Sequence, residues 1–282
     1  MPRLTRRRFL ALAGVSAVLG VAGAGSYARW VEPHWLSVVR RDMPLSGLPE
    51  PLAGRTLAHI SDLHVGTTDP DHLRTCLKRV SALRPDLVAI TGDFMTCDGR
   101  EQVDHVTATL ARMAEPPLGC FAALGNHDYG SRWHRADAAE LLTRRLAECG
   151  VRVLRNEVAE VAGLQVAGVD DLWAGRCRPA DTVEKLDPSL PSVALCHNPD
   201  AVDDPGWGAF RGWVLAGHTH GGQCKLPLLR PPVLNLHNRR YAAGEYDLGG
   251  GRRLYVNRGL GYVHKVRFNA RPEITLFQLV QA

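Results

Sequence analysis

The feature that most limits what this chain can become is a repeated couplet: a short apolar, β-prone run, then a small polar cluster rich in His and Asp. The runs Thr56–Ile60 and Leu87–Thr91 are apolar without a break and bounded by turn residues, the pattern of strands buried on both faces. They lead into Asp62-Leu63-His64 and Gly92-Asp93. Similar runs at 121–124, 193–196 and 213–216 lead into Gly125-Asn126-His127-Asp128, His197-Asn198 and Gly217-His218-Thr219-His220. Between the first couplets the apolar period changes to that of helices. Leu73, Cys76, Leu77 and Val80 mark one over 71–83, and the pattern recurs over 103–113 and over 136–149, where Gly150 stops it. Further short strands are expected at 151–154, Glu157–Val161, 164–169, 254–257 and 274–280. An α/β half followed by a β-rich half predicts one α/β domain with two packed sheets across 54–282. The proline-rich segment 225–239 reads as a long loop.

Loops at the carboxyl ends of strands are where open α/β sheets place their sites. If the five edges face one way, two carboxylates, one amide and four or five imidazoles converge. Hard oxygens mixed with imidazole, without thiolate, suit Zn²⁺, Mn²⁺ or Fe better than Ca²⁺ or an iron–sulfur cluster. In a strand, residues i and i+2 point the same way, so Asp62 and His64 can grip one ion together. His218 and His220 can do so if their backbone is extended. Gly92, Gly125 and Gly217 allow sharp turns or close approach. Taken singly, each motif is weak. Five in strand-end positions are not an accident, whereas His59, His72, His105 and His134 belong to no cluster.

The charge balance adds little. The net charge is +5, but Arg3, Arg6, Arg7 and Arg8 supply four of those charges, leaving +1 for the rest. No interior Lys/Arg run makes a nucleic-acid footprint. The seven cysteines are widely spaced and form no C-x-x-C, which argues against a disulfide framework or a thiolate zinc site.

Thr5-Arg6-Arg7-Arg8-Phe9-Leu10 followed by the apolar stretch 11–24 reads as an address rather than as fold. Residues 1–28 are expected to be a twin-arginine-type signal peptide or a signal anchor, and 29–53 a linker. The consecutive arginines resemble the twin-arginine (Tat) consensus, which implies the Tat export machinery as a partner. Ala22-Gly23-Ala24 is a candidate cleavage site. Without cleavage, the segment remains as a membrane anchor. Either way the domain is expected in the periplasm, the cell wall or on the outer face of the cytoplasmic membrane.

The order D-x-H, G-D, G-N-H-D, H, G-H-x-H across roughly residues 54 to 280 resembles the calcineurin-like metallophosphoesterase superfamily. Gly217-His218-Thr219-His220-Gly221-Gly222-Gln223 is similar to its exported, YkuE/YaeI-like phosphodiesterase branch. Asn257-Arg258-Gly259-Leu260-Gly261, Arg267-Phe268-Asn269 and Pro272-Glu273-Ile274 strengthen the match. The resemblance implies a four-layer α/β/β/α sandwich of two mixed β-sheets flanked by helices, with two divalent metal ions (Mn, Zn or Fe) at one sheet edge. It implies Asp62, His64 and His220 as ligands of one metal, Asn126, His197 and His218 of the other, and Asp93 as the bridge. It makes His127 the catalytic histidine. Arg258 is a candidate phosphate-binding residue.

The activity so implied is hydrolysis of a cell-envelope or lipid-linked phosphoester, a diester rather than a monoester, by attack of a metal-bound hydroxide. The alternative is a non-catalytic metal- or phospholipid-binding envelope protein on the same fold. One position departs from the family. Many members read G-D-x-x-D, whose last Asp orients the catalytic histidine, but here Thr96 stands in that place. Asp128 or another acid then supports His127, or His127 works as a neutral hydrogen-bond donor. Cys196 is expected as a buried strand residue. Asp170 and Asp171 line the site or form a solvated turn, and nothing in the spacing assigns His237 or His264.

Overall fold

The computed structural model describes residues 5–96, 99–227, 229 and 231–282. Arg3 of the basic N-terminus and Cys97 lie outside the described residues. Two six-stranded mixed sheets stack face to face. The first holds β1 (Ser37–Leu45), β2 (Thr56–Ile60), β3 (Leu87–Thr91), β4 (Cys120–Ala123), β5 (Val151–Val153) and β12 (Glu273–Gln281), in the order β1-β12-β2-β3-β4-β5. The second holds β6 (Glu157–Val161), β7 (Leu164–Gly168), β8 (Ser192–Leu195), β9 (Gly212–Ala216), β10 (Gly244–Asp247) and β11 (Arg252–Val256), in the order β10-β11-β9-β8-β7-β6.

The core is layered as that arrangement requires. Leu57, Leu87, Phe121, Val166, Leu195, Trp213 and Phe277 interdigitate between the sheets. The outer face of the first sheet is covered by α2 (Pro70–Leu83), α3 (Arg100–Leu110) and α4 (Ala136–Ala147), whose Leu73, Leu77, Val106 and Leu142 stripe packs on Ile60, Val88 and Ile90. The outer face of the second sheet is covered more thinly, by the short α5 (Pro179–Val183) and 3₁₀ turns carrying Trp207 and Val202. The four-layer α/β/β/α sandwich is the architecture that the family resemblance implied.

What positions the site is the parallel pairing. β2, β3 and β4 run parallel with Ile60 beside Ile90 and Thr91 beside Ala123, so their carboxyl ends share one edge. β8 and β9 are likewise parallel, Leu195 beside Leu215. The segment expected as a linker differs from that expectation: residues 37–45 form β1, paired in parallel with the chain's last strand, Ser37 beside Glu273 through Leu45 beside Gln281. At the N-terminus, α1 (Arg6–Ser26) is a helix with no buried residue. The helical stretch Arg6–His34 is long and apolar enough to cross a membrane.

Candidate metal centre

All seven side chains expected as ligands meet where the two sheet edges join. Three groups of donor atoms each lie within 4.8 Å of one another: Asp62, His64 and His220; His64, Asp93 and His127; and Asp93, His197 and His218. Asp93 belongs to two of them. Its Oδ1 accepts the His127 amide at 2.9 Å, while its Oδ2 faces His64 Nε2 at 3.5 Å and His197 Nε2 at 3.1 Å. His64 Nε2 and His220 Nε2 approach to 3.1 Å, and His220 Nε2 lies 3.5 Å from Asp62 Oδ1. Asn126 closes the other side through its amide, which takes either of two orientations. With oxygen toward His218 it offers a ligand atom. With nitrogen toward His218 it donates to Nδ1 at 3.1 Å, and its oxygen accepts from Trp133 Nε1.

The rings are aimed by bonds at their far nitrogens, the usual way a ligand histidine is oriented. His197 Nδ1 is 2.7 Å from the Thr91 carbonyl, and His218 Nε2 is 3.3 Å from the Asn235 carbonyl. His64 Nδ1 meets Thr96 Oγ1 at 3.1 Å. Each contact leaves the other nitrogen's lone pair toward the interior. Burial lowers the His64 and His218 imidazoles to about 3, and His220 well below its ordinary value, so these rings are neutral, as ligands must be. His197 is the exception: burial opposes its charge, but Asp93 outweighs that and raises it to about 10. That pairing holds the Asp93 carboxylate well below the ordinary range against the burial that would raise it. Carboxylate, amide and imidazole donors with no sulfur fit first-row divalent cations.

The local backbone corrects the i, i+2 argument. Asp62, His64, Asp93, His218 and His220 are not extended. All five sit at positive φ, between 47° and 70°. Left-handed residues turn the chain back at the ends of β2, β3 and β9, and at β2 and β9 that is what brings alternate side chains to one point. Such conformations cost about 1–3 kcal/mol each and persist where surrounding structure holds them. The holding contacts are on view. Asp128, one of the candidate supports for His127, accepts the amides of Phe94, Met95 and Gly125 instead, tying the loop after β3 to the loop after β4. Asp62 accepts the His218 amide on both oxygens, joining one sheet to the other. Gly125 and Gly217 are required by close approach: a Cβ would overlap Asp93 Oδ1 at the first and Ser61 Oγ at the second.

The position of Thr96 answers the question raised by the missing Asp. Its backbone carbonyl, not a carboxylate, faces His127 Nδ1 at 3.3 Å. The His127 ring also lies edge-on to that of His64, with centroids 5.0 Å apart. An open cavity of about 800 Å³ covers these groups. His64, Asp93, Asn126, His127, His218 and His220 line it, as do His237 and His264. Trp133 and Trp173 wall one side, 4.7 Å between centroids, and Trp173 stands edge-on to His218 at 4.3 Å. Neither tryptophan carried a sequence signal, because neither is at a strand end. The segment 225–239 forms another wall through Val233, Leu234, Asn235 and Leu236.

Some expected residues stand elsewhere. Arg258 is paired with Glu273 and is not among the residues that line the cavity. Asp170 is held by Tyr129 and Arg155, and Asp171 is buried; neither lines the cavity. Cys196 is buried, its thiol on the Asn198 carbonyl. Arg267, which the sequence offered only as part of the family match, is fully buried, donates to the carbonyls of Arg258, Ala270 and Gly261 and lies 3.3 Å from His220 Nδ1.

Known proteins resemble this chain along most of its length. Residues 55–222 match the family model described as calcineurin-like phosphoesterase. The chain is 31% identical to phosphodiesterase YaeI of Escherichia coli, over 98% of this chain and 100% of the relative. It is 32% identical to the uncharacterized metallophosphoesterase YkuE of Bacillus subtilis, with 99% of both covered. It is also 29% identical to UDP-2,3-diacylglucosamine pyrophosphatase LpxG of Chlamydia muridarum, over 89% of this chain and 92% of the relative. Similarity that runs the length of the chain, on a sandwich whose strand ends gather these donors, makes it a member of the calcineurin-like phosphoesterases and hence a phosphoric ester hydrolase.

Proposed function

We infer that the cavity holds two divalent cations and hydrolyses a phosphoester, a diester in preference to a monoester, carried by a lipid-linked or other cell-envelope molecule. The single observation behind the two-cation reading is Asp93 Oδ2, one carboxylate oxygen facing a ring from each of two donor groups, 3.5 Å from His64 and 3.1 Å from His197. Asp62, His64 and His220 would hold one cation, Asn126, His197 and His218 the other, and Asp93 both. Mn, Zn and Fe all suit these donors. When bound, the pair supplies an acidified water and neutralises charge on the phosphoryl oxygens.

The chain's own groups do the rest. With Nδ1 against the Thr96 carbonyl, His127 presents Nε2 to the cavity. When protonated, it can donate to the leaving oxygen. A carbonyl steadies that charge less than a carboxylate would, so the ring's work leans on its position. The Trp133–Trp173 wall excludes water from one side and gives an ester substituent an apolar surface. A relative named as a diacylglucosamine pyrophosphatase supports a lipid-linked substrate here. The run Arg6-Arg7-Arg8-Phe9-Leu10 ahead of an apolar helix supports export by the Tat route to the outer side of the cytoplasmic membrane.

The test is hydrolysis of bis-p-nitrophenyl phosphate after chelation and re-addition of Mn²⁺. Turnover should vanish and return. His127→Ala should keep its metal and lose about 10²–10⁴-fold in rate, whereas Asp93→Asn should lose metal and rate together. A fully metal-loaded protein inert toward every mono- and diester tried would favour the non-catalytic, metal- or phospholipid-binding alternative.

A further inference from the structure

The N-terminal helix does not hang on a tether. Its 21 residues end at Ser26, and Ala28 is already buried in the domain. The Arg267 amide donates to the Ala28 carbonyl, Tyr27 packs edge-on to Phe268, and Glu32, 1% exposed, accepts the Ala270 amide. So the span's end is bolted to segment 267–270. That segment in turn pairs with the start of the loop over the cavity: Cys224 bridges to Phe268, and the Lys225 amide donates to the Phe268 carbonyl. Gln223, one residue before Cys224, lines the cavity and donates to the His264 carbonyl. From membrane-length helix to cavity mouth is therefore a short series of direct contacts.

What this face exposes matches a bilayer. At ~1.5 Å per residue, the uncharged part of α1 from Phe9 to Ser26 is about 27 Å long, close to the ~30 Å hydrocarbon core. Arg6, Arg7 and Arg8 sit at the far end of α1, and in a spanning helix such charges would favour the cytoplasmic side, with the domain on the opposite one. Trp30 and Trp35, 64% and 51% exposed, follow the helix at the level where aromatic side chains favour the membrane interface. Leu226, Leu229 and Val233 on the loop are 58%, 57% and 68% exposed, which is unusual for three large apolar residues in one solvated loop. Arg29, Lys225 and Lys265 lie in the same segments and carry the charge that anionic headgroups attract.

Building on the hydrolase reading above, we propose that this face rests on the membrane. The retained α1 and the apolar loop, through Leu226 and Leu229, seat the cavity mouth at the headgroups. A lipid-linked phosphoester then reaches the site with its acyl chains still in the bilayer. The occupant is a lipid surface; a second copy or a protein partner covering the loop is an outcome the test separates.

The experiment uses the full chain reconstituted in phosphatidylglycerol–phosphatidylethanolamine vesicles. In Leu229→Trp, the added fluorescence should be quenched by phospholipids brominated in the acyl chains. In Leu226→Asp/Leu229→Asp, hydrolysis of vesicle-embedded phosphatidyl-p-nitrophenol should fall at least about tenfold, with soluble bis-p-nitrophenyl phosphate turned over within about twofold of the parent. An unquenched tryptophan overturns the proposal, as it would if another protein covered the loop. A double variant that loses both activities equally, or neither, also overturns it. If the parent enzyme hydrolyses neither ester, the hydrolase reading fails, and the quenching alone decides the docking.

Discussion

His59 and His64 lie five positions apart, and burial lowers both imidazoles to about 3, yet their tasks differ. His64 faces Asp93 and His220. His59 lies between the sheets with Nε2 on Thr91 Oγ1 and Nδ1 without a partner. The D-x-H spacing separates the two, because only His64 shares a strand end with a carboxylate. His59 carries a clean pH prediction. Its folded value lies below the unfolded 6.5, so between pH 3 and 6.5 the unfolded chain binds the extra proton. The neutral ring's stability is fully present above pH 6.5 and falls by about 1.4 kcal/mol per unit as the pH drops. Urea unfolding in chelator should therefore show parent protein losing roughly 2 kcal/mol more than His59→Gln between pH 7 and pH 5. Equal losses would mean that His59 stays protonated or solvated in the fold.

At the scale of elements, apolar runs located most of the strands, and the polar clusters at their ends are the side chains that the fold gathers. Two things were not legible. β1 reads Ser-Val-Val-Arg-Arg-Asp-Met-Pro-Leu, with charges and a proline that suit an exposed edge and blur the strand pattern. Its partner β12 lies more than 200 residues away, so no local signal announces the pairing. The left-handed turns at Asp62, His64, Asp93, His218 and His220 were also invisible, since spacing reports which residues are near but not how the backbone brings them together. The turn at Asp93 is backed by Asp128, which holds the loops after β3 and β4 at once. Asp128→Ala leaves the buried amides of Phe94, Met95 and Gly125 without an acceptor, at about 1–3 kcal/mol each. Denaturant unfolding of chelated protein should show a loss of about 3 kcal/mol or more. A change under 1 kcal/mol would show that the loops are held by other contacts.

For the whole molecule, two sheets each bring half of a site to a shared edge. The first supplies Asp62, His64, Asp93 and Asn126, the second His197, His218 and His220. Neither half is a complete donor set, so the site exists only when the sandwich closes. The bonds from His197 to Thr91 and from His218 to Asp62 register that closure directly. The order of motifs along the chain revealed this much, since the family's cage is written across both halves of the sequence. The link between the helix and the covering loop was not legible there, because it lies in contacts between segments 27–32, 223–225 and 267–270, which are distant in the chain. The central claim is that Asp93 joins two cation sites. Anomalous diffraction from crystals of metal-loaded protein should show two peaks ~3.5–4 Å apart, flanking Asp93, one beside His64 and one beside His197. A single peak, or two that do not share Asp93, would contradict it.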